Sequence, residues 1–261
     1  MRDLFDIFNI QQSDPDPVRR AQLQMHRPLP KRFYTAVQVE PVEAGFEVRL
    51  DGKTVRTPAR KALAVPKERL AHLIAAEWEA QVEVIDPHSM PVTRLVNTAL
   101  DAVSDQVEAV LEDIARFSQS DMLCYRAEEP EGLVERQVHG WDPVLEWVAE
   151  THGARFLLAG GIIHQEQPAQ SLQAFREALQ AYAEPIRLSA LHTITTLTGS
   201  AILALAAAEG RLSLDEAWAL AHLDEDWTNE HWGTDEEAEA RRGKRFVDMQ
   251  AAMAVIQAVQ T

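Results

Sequence analysis

The sequence predicts an α+β fold, with a small β-rich N-terminal domain followed by a larger all-helical C-terminal domain. Three observations predict it. Apolar and polar residues alternate between residues 32 and 65, around an Asp51-Gly52 pair. From Pro66 onward the apolar spacing changes to three and four residues. No internal repeat or low-complexity tract interrupts either pattern. The expected divisions are an arm over residues 1–30, the β-rich domain with one helix over 31–90, and the helical domain over 91–261.

In the arm, Asp14-Pro15-Asp16-Pro17 and Pro28-Leu29-Pro30 break regular structure, because proline lacks a backbone donor and fixes φ. A cluster of Leu4, Phe5, Ile7 and Phe8 is available to dock elsewhere. Phe33–Val39 is rich in strand formers, and Gly45–Leu50 alternates. Asp51-Gly52 then calls for a two-residue hairpin turn, with Gly52 tolerating the positive φ. Lys53–Thr57 is the expected return strand, and Ala62–Val65 a further one.

Helical spacing begins with Leu70, Leu73, Ile74 and Trp78, behind Pro66 in a suitable first-turn position. Val92–Phe117 reads as one long amphipathic helix. Further helices are expected over Trp141–Thr151, Leu172–Ala181, Pro185–Glu209, Leu214–Trp232 and Glu236–Gln260. Gly160-Gly161 marks a loop or a short extended piece.

Composition excludes several classes of function. The 261 residues carry a formal net charge of −16, which opposes nucleic acid and anionic lipid, since binding either requires lysines and arginines to displace counterions. The chain suits a basic protein surface or a nascent polypeptide better. No run of about 18 apolar residues is present, so no membrane insertion is expected. Cys124 is the single cysteine, and a lone thiol implies no oxidising compartment. The N-terminus lacks a signal pattern and carries acids where a transit peptide avoids them. A cytoplasmic protein is expected, or a mitochondrial matrix protein in its mature form.

The sequence carries little that points to catalysis. Gly52-Lys53-Thr54 imitates the end of a phosphate-binding loop, but Glu47 stands where that loop needs glycine, and the context is strand–turn–strand. No nucleophile elbow or dinucleotide loop occurs. Gly199-Ser200 lies in an apolar run and reads as a close helix-packing pair. Cys124 reads as a buried inert thiol. The nine histidines form no ligand motif, so no metal and no cofactor is expected.

The segment from Leu220 to Glu239 carries most of the functional interest. Ser213 and Glu216 form a capping box that fixes its helix start. At about 100° per residue, Leu214, Ala217, Trp218, Ala221 and Trp232 share a stripe, and Glu225 falls within it. A carboxylate on an apolar stripe must pair, cap or face a partner. Glu230 points elsewhere on the wheel, so the two acids form no evident catalytic dyad. A solvated acidic face beside two core tryptophans is the simpler alternative. Trp78 reads as core behind Leu70, Leu73 and Ile74.

The chain resembles a known family, the assembly chaperones of the F-type ATP synthase that hold its free alpha subunit. The resemblance rests on an ordered set: Lys31-Arg32-Phe33-Tyr34; Leu50-Asp51-Gly52-Lys53 with Arg56-Thr57-Pro58; Glu77-Trp78 with Gln81; Met90-Pro91-Val92-Thr93; Asn97 with Asp101; Asp121-Met122-Leu123-Cys124-Tyr125; Trp141-Asp142-Pro143; and Leu223-Asp224-Glu225 with Trp232-Gly233. It implies a β-rich then helical fold, no catalysis, no cofactor, and the alpha subunit as partner. It also implies partner-binding roles for Glu225, Glu230, Asp224 and Trp232, and structural roles for Trp78, Gly52 and Trp141. The sequence departs from the family at Thr228, where glutamine is common, and at Gly199-Ser200, where Lys-Ser is common. A monomer is expected, since self-association would compete with the client. Two other readings stay open: an acidic adaptor for another basic protein, and a cofactor-free enzyme with an acid/base site around Glu225.

Overall fold

The computed structural model describes residues 29–161 and 164–260. The arm's Leu4, Phe5, Ile7 and Phe8 lie outside the described residues. The chain divides into two compact units, one running through Ala102 and one of Val103–Gln260.

In the first unit, β1 (Val37–Val42) and β2 (Gly45–Leu50) form an antiparallel pair, with Val37 opposite Leu50. β3 (Lys53–Thr54) returns along β2 through Asp51 and Gly52, whose φ values of 48° and 75° are the two positive angles a tight right-twisting hairpin demands. β4 (Ala64–Val65) also pairs with β2, placing Val65 opposite Phe46. Helix α1 (Glu68–Glu79) buries Leu70, Ala71, Ile74 and Trp78, a spacing that keeps all four on one face. Its Glu77 carboxylate caps the next helix, α2 (Pro91–Asp101), accepting the backbone N–H groups of Val92 and Thr93, each at 2.7 Å, and the Thr93 hydroxyl at 2.6 Å. Burial pushes the Glu77 pKa up despite those bonds. Gln81, buried behind α1, accepts from Asp86 N and donates to Glu77 O and Ser89 Oγ.

The strand expected over Phe33–Val39 starts only at Val37. The N–H groups of Thr35 and Ala36 donate to the Asp51 carboxylate at 3.1 and 2.9 Å, which takes them out of the ladder. Residues just before them run antiparallel to another segment: Arg32 N donates to Glu83 O, and Ile85 N to Pro30 O.

The long helix expected over Val92–Phe117 is two helices, α2 and α3 (Val107–Gln119), with a 3-10 turn at Val103–Asp105 between them. Leu100, Val103 and Val107 keep the apolar period across the break and so conceal it. Asp101 is the cause on one side: its carboxylate accepts from Thr57 Oγ1 at 2.6 Å and from Ala59 N at 2.9 Å. Ser104 and Asp105, which favour turns over helix interiors, supply the rest.

The second unit continues through β5 (Tyr125–Arg126), α4 (Glu131–His152) and β6 (Ala159–Gly160), with the two short strands paired in parallel. The helix expected over Trp141–Thr151 is the C-terminal part of α4, which contains Pro143. Next come α5 (Ala169–Leu179), α6 (Pro185–Thr198), α7 (Ala201–Ala208), α8 (Leu214–Ala221), α9 (Leu223–Trp232) and α10 (Glu236–Gln260). Every residue of α7 is buried, as expected of a helix that is apolar all round. Packed around it are α3, α4, α6, α8 and α10.

Two further expected helices are each broken in two. The helix expected over Pro185–Glu209 breaks into α6 and α7. Gly199 ends α6 in the left-handed region at φ 68°, and the Ser200 hydroxyl caps α7 by accepting from Leu203 N at 3.0 Å. Gly199-Ser200 is therefore a stop and a start, not a packing pair. The helix expected over Leu214–Trp232 breaks at buried His222, whose ring nitrogen Nδ1 is 2.8 Å from Trp218 O. The helical wheel does not carry across this break, so Glu225 leaves the apolar stripe and stands exposed. Trp218 is buried, but Trp232 is 85% exposed, against the two-core-tryptophan reading.

Candidate functional site

Helix α9 reads Leu-Asp-Glu-Asp-Trp-Thr-Asn-Glu-His-Trp, and only its first residue, Leu223, is buried. Ten residues with so little apolar surface do not hold a helix by propensity alone. The sequence folds this way because α4 and α10 grip it. On α4 the gripping residues are Gly132, Arg136, Gln137, Gly140 and Trp141, spaced to share one face. A Cβ on Gly132 would sit 2.8 Å from Cη2 of Trp227, and one on Gly140 3.2 Å from Cδ1 of Leu223 and 2.9 Å from Cδ2 of Leu220 at the end of α8. The two glycines thus admit the close approach.

Polar bonds complete the grip. Gln137 Nε2 donates to Asp224 Oδ1 at 2.8 Å, and Trp141 Nε1 holds the end of the preceding α8 by donating to Leu220 O at 3.0 Å. The Arg136 guanidinium forks onto both carboxylate oxygens of Glu230, at 2.9 and 2.8 Å. It also lies 5.0 Å above the centre of the Trp227 ring. This pairing holds the Glu230 carboxyl below the usual carboxylate range and raises the Arg136 pKa. From α10, Arg242 pairs with both oxygens of Asp226. His231 stacks on Trp227 at 4.3 Å, and its Nδ1 lies 2.7 Å from Trp227 O.

All four residues expected to bind a partner fall on α9, and they divide into two pairs. Asp224 and Glu230 are tied to α4. Glu225 has no hydrogen bond or ion pair among the described residues and is exposed, as is Trp232. Trp78 is fully buried, with its carbonyl accepting from the Tyr34 hydroxyl at 2.6 Å. Trp141 is buried beneath the Arg126 guanidinium, and Gly52 turns the hairpin. Sequence reasoning missed Arg136 and Gln137; their spacing with Gly132 and Gly140 was legible, but their partners lie far along the chain. It also missed what Asp121 does. That buried carboxylate accepts from Leu123 N at 3.2 Å and Ile202 N at 3.1 Å, and burial raises its pKa to about 6.

Among the described residues, no group of three or more His, Cys, Asp or Glu is placed to hold a metal. No helix among them is long and apolar enough to cross a membrane. Among the described residues, one surface depression is lined by Glu128, Glu129, Pro130, Glu131, Val134 and Glu135 and another flanks Arg176, and Glu225 lines neither of these. Cys124 is buried and its thiol is pushed up to about 12.

The chain is a small sheet with its helices followed by a helical unit that bears an acidic helix, and proteins of this build are chaperones in the comparisons that follow. The structure superposes on that of a putative chaperone from Agrobacterium tumefaciens with a TM-score of 0.89 and 56% identity, covering 99% of this chain and 97% of that one. It matches the structure of Atp12 from Paracoccus denitrificans with a TM-score of 0.83 and 39% identity, over 88% of this chain and 98% of that one. The family model described as ATP12 chaperone protein matches residues 31–149. The mitochondrial protein atp12 of Schizosaccharomyces pombe is 29% identical over 231 residues, 84% of this chain and 79% of the relative. The chain belongs to the ATP12 chaperone family, the ATP synthase assembly chaperones that its sequence resembles.

Proposed function

We propose that this protein binds the free alpha subunit of the F-type ATP synthase and masks its apolar subunit interface until assembly. The observation that carries the reading is the division on α9. Three of its acids are held by Gln137, Arg242 and Arg136, while Glu225 and Trp232 are left to solvent. An exposed indole is an amphipathic anchor of the sort that dominates protein interfaces. Two turns earlier on the same helix, the exposed Glu225 carboxylate, which makes no hydrogen bond among the described residues, selects a basic group on the client. An unassembled subunit exposes apolar surface that aggregates, and a reversible cover of net charge −16 stays soluble while shielding it.

In this reading Glu225 and Trp232 make the contact, and Asp224 and Glu230 belong to the same surface. Trp78, Gly52 and Trp141 serve the fold. The protein works as a monomer, without cofactor and without catalysis, in the cytoplasm or, for an organellar form, the mitochondrial matrix. An acid/base enzyme around Glu225 is disfavoured by the open position of that side chain.

The test is to co-express isolated alpha subunit with this chain or with Glu225→Lys, and to measure soluble alpha subunit in a complex. The wild-type chain is expected to keep it soluble at equal stoichiometry, and Glu225→Lys to fail while remaining folded. Equal retention by both chains would remove Glu225 from the interface. No retention by either would reject the alpha subunit as client.

A further inference from the structure

We infer that Glu230 serves client capture without touching the client: it is a positioning residue that acts through Arg136 to hold the last turn of α9, and with it Trp232. The inference rests on the client reading above and deepens it.

Four ties hold α9, and they are ordered along it. Asp224 binds Gln137, Asp226 binds Arg242, Trp227 seats against Gly132, and Glu230 binds Arg136. Glu230 makes the last of these, two residues before Trp232. Both of its oxygens are occupied by one guanidinium, at 2.9 and 2.8 Å, in the planar fork that arginine forms best. The same guanidinium rests on Trp227, so one side chain fixes two successive turns of the helix. A client cation would have to displace Arg136 to reach Glu230, whereas the exposed Glu225 carboxylate has no hydrogen bond to give up among the described residues.

The pair is partly exposed, so it adds little to global stability. Its effect is instead on local opening of a short, sparsely buried helix. Trp232 has no buried contact of its own to restrain it, being 85% exposed. Its presentation therefore depends on the turn that Glu230 closes.

The experiment is a charge-swap cycle: Glu230→Arg, Arg136→Glu, and the two together. Each full-length variant is read in two ways, by alpha subunit kept soluble and by backbone hydrogen exchange across residues 223–233. Each single variant places like charges together, and should raise exchange in the last turn roughly tenfold or more while lowering capture. The double variant restores an ion pair, and its arginine near the helix C-terminus suits the helix dipole. In the last turn it should return exchange, and with it capture, to within about threefold of wild type, while the turn around Trp227, which loses the guanidinium and faces a new carboxylate near Asp226, stays less protected. Restored protection without restored capture would overturn the inference and make Glu230 a contact residue. So would single variants that lose capture with unchanged exchange. If the wild-type chain does not retain alpha subunit, the client reading fails, and unchanged exchange in the single variants would still overturn the role given to Arg136 and Glu230.

Discussion

The carboxylate of Asp121 accepts the backbone N–H of Ile202 at 3.1 Å, inside the fully buried first turn of α7. Burial raises its pKa from 3.8 to about 6. A carboxyl whose folded pKa lies above its unfolded value stabilises the fold most when protonated. Its contribution is fully present below about pH 4 and is lost as pH rises through 6. Asp121→Asn does not titrate. The stability advantage of wild type over that variant should therefore grow by about 2 kcal/mol between pH 7 and pH 4. Urea unfolding at the two pH values measures it; a gap that shrinks in acid would contradict the assignment.

Glu77 stands at the N-terminus of a helix it does not belong to. Glu77→Ala leaves the N–H groups of Val92 and Thr93 without their acceptor and should cost about 1–2 kcal/mol. Glu77→Gln keeps one acceptor oxygen and should cost less. The comparison is made on urea midpoints of the two variants.

Gly132→Ala places a methyl group 2.8 Å from the Trp227 ring. The indole must move, so tryptophan fluorescence should shift and client capture should fall. Gly243→Ala, an exposed site within α10 with nothing within 4 Å of the added carbon, should instead stabilise by about 0.5–1 kcal/mol and leave capture intact.

Trp232→Ala removes an 85% exposed ring, so stability should stay within about 0.5 kcal/mol of wild type. Affinity for alpha subunit should drop by about 2 kcal/mol or more, as for an interfacial anchor. Titration calorimetry with purified alpha subunit reads the difference. An unchanged affinity would move the contact away from α9.

The hairpin was legible because Asp51-Gly52 answers a local demand, two consecutive positive φ angles. Buried Trp78 was legible from its own helix face. The breaks at Ala102 and His222 were not, since the apolar period runs on through both and no glycine or proline marks them. Gly199-Ser200 was legible in principle as a stop followed by a cap, and the apolar run around it obscured that. On α9 the acids were visible, but their division into tied and free was not. Arg136 and Gln137 lie 94 and 87 positions before their partners, and no local pattern links residues that far apart.

Helix α7 has no side facing water. A segment like that has nothing to gain from forming early, because alone it would be an oily rod seeking any surface. It becomes worthwhile only when its neighbours arrive together, and Gln260 then closes its final turn by donating to Ala208 O at 2.7 Å. The helical unit is thus expected to form in one concerted step, completed as α10 closes over α7. An assembly chaperone gains from this: it does not linger in a half-made state in which it would itself need a chaperone.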